Sequence, residues 1–172
     1  MIGVNSQPEI EAKIKTLDEL IPLVKQLKAE GKTIVTNNGS YDIVHIGHVL
    51  GLFESKRQGD VLIIGVNSDK SVKAYKGPNR PINPEDMRIR MLAALSCIDY
   101  VFTFDEVVPM PWLEKIQPHV HTNGAEYGEE CIEAETVRAH GGRIHLLPMI
   151  EGVKSSMLIE KILQEYGNEI TE

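Results

Sequence analysis

Residues 33–48 read Thr33-Ile34-Val35-Thr36-Asn37-Asn38-Gly39-Ser40-Tyr41-Asp42-Ile43-Val44-His45-Ile46-Gly47-His48, and they decide the fold. The apolar run Thr33–Thr36 predicts a strand over 33–37. A helical pattern of Val49, Leu50, Leu52 and Phe53 predicts a helix from about Gly47 to Gln58. Between them lies a glycine-bearing loop, with His45 and His48 at the start of the helix. Residues three apart in a first turn lie side by side. Unpaired backbone N–H groups and the positive end of the helix dipole gather at the same place. Gly47 removes a side chain between the two imidazoles, so that oxygens of a ligand can approach the backbone. The combination suits a phosphate chain. Two plainer readings stay open at this level. The histidines are polar residues of a helix face, or together with Asp42 they are metal ligands.

Outward from this stretch the chain alternates strand and helix. Thr16-Leu17-Asp18-Glu19 is a capping box that opens an amphipathic helix over 16–30, ended by Gly31, with Pro22 as a kink or a fresh start. Residues 1–15 read as a loose lead-in. Val61–Asn67 is a continuous apolar run of the kind found in a central parallel strand. Ser68-Asp69-Lys70 opens a short helical piece, and a proline-rich loop runs from Lys76 to Asn83. Asn83 is placed to cap the next helix, with Pro84 at its first position and Met87, Met91, Leu92 and Leu95 on its apolar face. Tyr100–Phe104, Val120–Thr122 and Ile144–Leu147 are further strands. Helices are expected over 111–116 and 130–140, and from Ser155-Ser156 to about Tyr166. The pattern predicts an α/β protein, a Rossmann-like doubly wound parallel sheet, in a single domain over 1–172. In such sheets ligands bind beyond the carboxyl ends of the strands, which puts His45, His48, Asn67 and Asp69 on one rim.

Composition narrows the function classes. The formal charge of −7 is unsuited to non-specific nucleic-acid binding. Yet six of the eighteen Lys and Arg residues, Lys70, Lys73, Lys76, Arg80, Arg88 and Arg90, fall within residues 70–90. An acidic protein that binds a polyphosphate must gather positive charge locally, and this is where it does so; the plain alternative is a solvated basic face. No apolar run reaches the roughly 20 residues of a membrane span, and the polar start lacks a signal-peptide core, so a cytoplasmic protein is expected. Cys97 and Cys131 are too few for a disulfide framework. His119 and His121 share a strand face and, with Cys131, raise the question of zinc; an ordinary histidine pair is the simpler reading.

Asn38-Gly39-Ser40-Tyr41-Asp42 followed by His45-Ile46-Gly47-His48 resembles the signature of the cytidylyltransferase-like nucleotidyltransferases. The likeness continues in order through Gly65–Asp69, Lys76-Gly77-Pro78, Arg80–Glu85, Leu92–Leu95 and Phe104–Glu106. Within that superfamily the chain looks most like the adenylyltransferases of bacterial ADP-heptose synthesis. The resemblance implies transfer of AMP from ATP to a sugar 1-phosphate, D-glycero-D-manno-heptose 1-phosphate, with release of pyrophosphate. It implies Mg²⁺ accompanying the nucleotide and held mainly through phosphates, with no protein metal site. It assigns His45, His48, Lys76 and Arg88 to the reacting phosphates. Asn38, Gly39, Ser40, Tyr41, Gly47, Asn123, Gly124, Lys154, Ser155 and Ser156 fall at nucleotide-binding positions, and Asp42, Asn67, Asp69 and Arg80 at substrate positions. A homodimer or larger homo-oligomer acting on small molecules is expected, with no nucleic-acid or membrane partner.

Three departures stand out. Ser40-Tyr41 replaces the usual Cys-Phe, Asn123-Gly124-Ala125-Glu126-Tyr127 replaces Lys-Gly-Gly-Asp-Tyr, and Lys154 stands where Ser is usual. The rival within the class is a CTP-dependent enzyme acting on glycerol 3-phosphate or a related phospho-alcohol. The rival from another class is a nucleotide-binding regulatory module without catalysis.

Overall fold

The computed structural model describes residues 7–149, Gly152 and residues 154–167. Residues 1–6 of the expected lead-in lie outside that range. Strands β1 (Ile34–Gly39), β2 (Val61–Asn67), β3 (Tyr100–Phe104), β4 (Val120–Gly124) and β5 (Arg143–Leu147) form one sheet in the order β3-β2-β1-β4-β5. Every pairing is parallel. The chain builds outward from β1 through β2 to β3, then returns to lay β4 and β5 on the other side of β1. The strand order therefore reverses between β1 and β4, and the crevice for a ligand opens there.

The helices are α1 (Pro8–Glu11), α2 (Leu17–Ala29), α3 (Ile46–Lys56), α4 (Asp69–Lys76), α5 (Glu85–Ala93), α6 (Met110–Ile116), α7 (Ala134–Ala139) and α8 (Ser155–Tyr166). Alternation of side chains along each strand gives the sheet two apolar faces. Val35, Leu62, Ile64, Val66 and Val101 pack with Leu52 of α3 and Ile89, Leu92 and Ala93 of α5. Ile34, Ile63, Phe102 and Phe104 pack with Leu20 and Val24 of α2, Trp112 and Leu113 of α6 and Val137 of α7. The Thr16 capping box is present, and α2 passes through Pro22 without a break. Gly31 ends the helix at φ +78°, while Lys32 and Gly31 donate back to the Leu27 and Lys28 carbonyls.

Several local expectations need correction. Residues 8–15 are not a loose lead-in: Ile14 bridges Val101 of β3, Lys13 Nζ donates to the Leu95 carbonyl at 3.0 Å, and Glu11 pairs with Arg90. Asn83 does not cap α5; Pro84 is the capping residue, and the Asn83 amide turns back to the Asp42 carbonyl. Met87 and Met91 are 58 % and 40 % exposed, because Arg88 takes the inward position beside Ile89 and Leu92. The helix expected over 130–140 is only α7, with turns at 129–130 and 132–133 before it.

His119 and His121 do not form a metal site. His119 Nδ1 accepts the Ile34 N–H at 2.9 Å, tying the entry of β4 to β1. His121 is enclosed, with its Nδ1 2.8 Å from Thr36 Oγ1. Burial pushes His121 down to about 3, so it is neutral in the fold and takes up a proton near 6.5 once unfolded. The folded state is then fully favoured above pH 6.5 and loses stability as the pH falls toward 3. We expect unfolding free energy to drop between pH 6.5 and 5, with His121 contributing at most about 1.4 kcal/mol per pH unit. Urea titrations across that window should give a visibly shallower slope for His121→Gln.

Candidate active site

The histidine pair is built by local backbone geometry. His45 is extended (φ −136°, ψ 172°) and serves as the N-cap of α3. Its Nδ1 accepts the His48 N–H, and His48 Nδ1 accepts the His45 N–H, both at 3.4 Å. This is a capping box made by two imidazoles in place of the usual hydroxyl and carboxylate. The rings stack with centroids 3.9 Å apart and planes 26° from parallel. Because each Nδ1 is an acceptor, the neutral ring carries its proton on Nε2, and neither Nε2 has a partner among the described residues. The Ile46 and Gly47 amides of the first turn are likewise unpaired among them. Burial pushes His45 down. Burial, then His45 and Lys76, push His48 down to about 4. At neutral pH the site presents two neutral N–H donors.

The loop before the helix is shaped by Tyr41, which adopts φ +47° and sends its buried ring under the strand end. Its hydroxyl donates to Asn37 Oδ1, and its ring centroid is 5.4 Å from that of His48. A Cβ at Gly39 would stand 3.3 Å from the Tyr41 ring, so glycine suits that turn.

The basic residues converge on the same loop. Lys76 Nζ donates to Ser40 Oγ at 2.7 Å. Its amine is pushed down by burial and by Arg80 and Arg88, with Asp42 opposing. Arg80 Nε donates to Asp42 Oδ2 at 2.5 Å. Ser156 and Arg80 border a groove that runs along α8 past Ile159 and Leu163. Ser155 Oγ donates to the Ile43 carbonyl at 3.0 Å, pinning α8 to the histidine loop. Ser155 therefore does not cap α8 through its side chain; exposed Lys154 is the N-cap residue.

Three expected ligand contacts are instead structural. Arg88 is fully enclosed and donates to the Asn83, Ser40 and Asn67 carbonyls and to Asp69 Oδ1, at 2.5–2.9 Å. A guanidinium with no exposure braces the loops. Asp42 is 2 % exposed, with its carboxylate taken by Arg80 and the Ile82 and Asn83 amides; these pairings hold its pKa down against burial. Buried Asn67 donates to Ser71 Oγ and the Glu106 carbonyl. Asp69 reaches the rim but is held by Arg88.

Across the switch point, Asn123 Oδ1 accepts the Gly124 N–H and its amide donates to Glu133 Oε2 at 3.2 Å. Glu133 and Ile43 were not singled out by sequence. Glu133 stands in a turn whose composition reads as helix, and Ile43 contributes only a backbone carbonyl, so neither leaves a pattern to find. Among the described residues no three His, Cys, Asp or Glu side chains cluster as a metal site, and no helix is long and apolar enough to cross a membrane.

Residues 37–161 match the cytidylyltransferase-like family model. The chain is 44 % identical over 160 residues to the bifunctional protein HldE of Geobacter metallireducens, covering 92 % of this chain and 33 % of that protein. It is 41 % identical over 162 residues to HldE of Geobacter sulfurreducens, covering 94 % and 33 %. The chain thus spans about a third of the length of these relatives. A lipopolysaccharide core biosynthesis protein from Thermoplasma volcanium superposes with a TM-score of 0.56 at 28 % identity, covering 70 % of this chain and 98 % of that one. The paired histidines at the β1–α3 turn lie within the matched region, and the chain belongs to the cytidylyltransferase-like nucleotidyltransferases.

Proposed function

We propose that this chain transfers AMP from ATP to a sugar 1-phosphate, in the first instance D-glycero-D-manno-heptose 1-phosphate, releasing pyrophosphate. The observation that carries the reading is the reciprocal histidine cap. It turns two Nε2–H donors away from the protein at a helix start where the Ile46 and Gly47 amides are open and Lys76 stands close by. Such donors are matched to a triphosphate. An oxygen of the sugar phosphate attacks the α-phosphorus of the nucleotide, and the bond to the pyrophosphate oxygen breaks. The attacking oxygen is already anionic, so no protein nucleophile is required. What the protein supplies is alignment and charge stabilisation in the five-coordinate transition state. His45 and His48 donate to the phosphate oxygens, Lys76 provides the mobile cation, and Arg88 and Asp42 hold the loops that carry them. Mg²⁺, bound with the nucleotide through its phosphate oxygens, would offset charge on the leaving group; with the Asp42 oxygens already engaged, this rim offers donors more than metal ligands.

A pyrophosphate-release screen of ATP, CTP, GTP and UTP against heptose 1-phosphate and glycerol 3-phosphate tests the assignment. Turnover with ATP and the heptose is expected. Turnover with CTP and glycerol 3-phosphate alone would favour the alcohol-phosphate enzyme, and ATP binding without pyrophosphate release would favour a regulatory module.

In the active pair, His48→Ala should keep the fold, losing about 1 kcal/mol of stability with its half of the cap, and lose about 10²–10³ in kcat. Arg88→Ala should behave oppositely at the level of the fold. Removing one partner of a buried charge cluster costs roughly 3–5 kcal/mol, which a denaturant titration reads directly. The pH profile separates neutral from charged donors. With His48 titrating at about 4, kcat/KM should stay level from pH 6 to 8 once nucleotide ionisation is accounted for. A fall in rate through pH 6.5 would show that imidazolium is the working form.

A further inference from the structure

Glu133 has no part in the reaction as derived above, yet its setting is unusual. It is only 5 % exposed. An enclosed carboxylate needs several hydrogen-bond donors, having room for about four. Among the described residues it receives one amide donor, Asn123 Nδ2 at 3.2 Å. No Lys, Arg or His pairs with it there. The neighbouring Cys131 thiol is a weak donor, and burial together with Glu133 pushes that thiol up.

An acceptor with no partner at all lies on the same side of the sheet. Asn38 Oδ1 is buried and has no hydrogen-bond partner among the described residues. The β1–β4 register pairs Val35 with Val120 and Thr36 with His121, so two residues further on Asn38 stands level with Asn123. Asn37 and Thr122 bond to each other on the α3 face, which sends Asn38 and Asn123 to the opposite face, toward α7. Two acceptors from different elements thus sit at the carboxyl end of the sheet, on the switch point, with fewer donors than they can take.

We infer that Glu133, steadied by Asn123 and joined by the Asn38 side-chain oxygen, is a specificity-determining acceptor for the hydroxyls of a sugar linked directly to a reacting phosphate. The inference rests on the transferase reading for what the ligand is, and on the local geometry for what it must offer. Neighbouring strands are about 4.8 Å apart and β4 lies directly beside β1, so the two strand ends are adjacent at the carboxyl rim, with the histidines on the α3 side and Glu133 on the α7 side. In a ligand whose phosphate is held at α3, the sugar is the part next to that rim; a nucleobase lies a ring further on. Two sugars meet the condition, the ribose of the nucleotide and the ring of the acceptor.

Binding, measured without turnover, distinguishes them. Wild-type and Glu133→Gln chains are titrated calorimetrically with ATP, 2′-deoxy-ATP and 3′-deoxy-ATP. They are then titrated with heptose 1-phosphate in the presence of a non-transferable α,β-methylene ATP. Glu133→Gln is isosteric, and an unchanged thermal midpoint verifies the fold. A hydrogen bond to a charged acceptor is worth about ten- to a hundred-fold in affinity. If the ribose is read, the variant should lose that factor for ATP, the wild type should lose it for one deoxynucleotide, and the variant should lose nothing more on deoxygenation. If the acceptor is read, the loss should appear only for the sugar phosphate. Wild-type affinity for both ligands in Glu133→Gln overturns the inference, as does a deoxy penalty that persists undiminished in the variant. An affinity loss that differs between ATP and GTP but ignores the hydroxyls overturns it too. Failure of the pyrophosphate screen counts against the transferase reading alone, because these titrations need no reaction.

Discussion

One buried guanidinium sets the shape of the site. Moving an ion of this size out of water carries an effective penalty of several kcal/mol even after relaxation, so Arg88 is tolerable only if the chain wraps acceptors around it. Those acceptors come from the loop after β1 (Ser40), the end of β2 (Asn67), the start of α4 (Asp69) and the loop before α5 (Asn83). These segments frame the histidine pair. Asp42 works from the opposite side with the opposite charge, gathering Arg80, Ile82 and Asn83. The two meet at Asn83, whose carbonyl is held by Arg88 and whose N–H is held by Asp42. A loop without secondary structure of its own is thereby fixed at both poles of a single residue, and Lys76 at its root faces Ser40 as a consequence.

This arrangement shows how an acidic chain gathers positive charge locally. The net charge of −7 is a sum over the whole molecule, whereas a bound phosphate responds to charges within a Debye length of about 8–10 Å. Within the loop cluster burial first, then Arg80 and Arg88, push Lys76 down, and burial first, then His45 and Lys76, push His48 down. Arg80 and Arg88 are paired with Asp42 and Asp69, whereas Lys76 has no carboxylate partner among the described residues: it donates to a serine hydroxyl and lies over the Tyr75 ring, which makes it the cation freest to turn.

The parts of this architecture that follow from periodicity were legible in the sequence. The apolar runs that became β1 and β2, the Thr16 cap and the three-residue spacing of the histidines each depend on local order along the chain. What could not be read depends on which way a polar side chain turns. Arg88, Asp42 and Asn67 carry the same letters whether they face a ligand or the interior, and in the folded chain they face the interior. The apolar face of α5 was misplaced for the same reason: a helical wheel that puts arginine outside selects Met87 and Met91, and the enclosed guanidinium rotates the true face to Ile89 and Leu92. The shortness of α7 reflects a turn held by tertiary contacts around Cys131 and Glu133, to which a propensity reading is blind.

The state of the histidines has a further consequence for the phosphate complex. An adjacent opposite charge raises a cationic group's pKa by roughly one to three. A phosphate bound there would therefore raise His48 from its lowered position, opposing the burial that keeps the ring uncharged. The reciprocal cap keeps the neutral ring's proton on Nε2, because each Nδ1 is occupied as an acceptor; charging either ring would put a proton on Nδ1 and break the cap. A donor held in place before the ligand arrives needs no reorganisation as negative charge spreads over the equatorial oxygens. Burial, the first cause lowering both histidines, is therefore compatible with the proposed chemistry: it gives up some electrostatic pull on a triphosphate and keeps the rings neutral, with each Nδ1 able to accept in the cap.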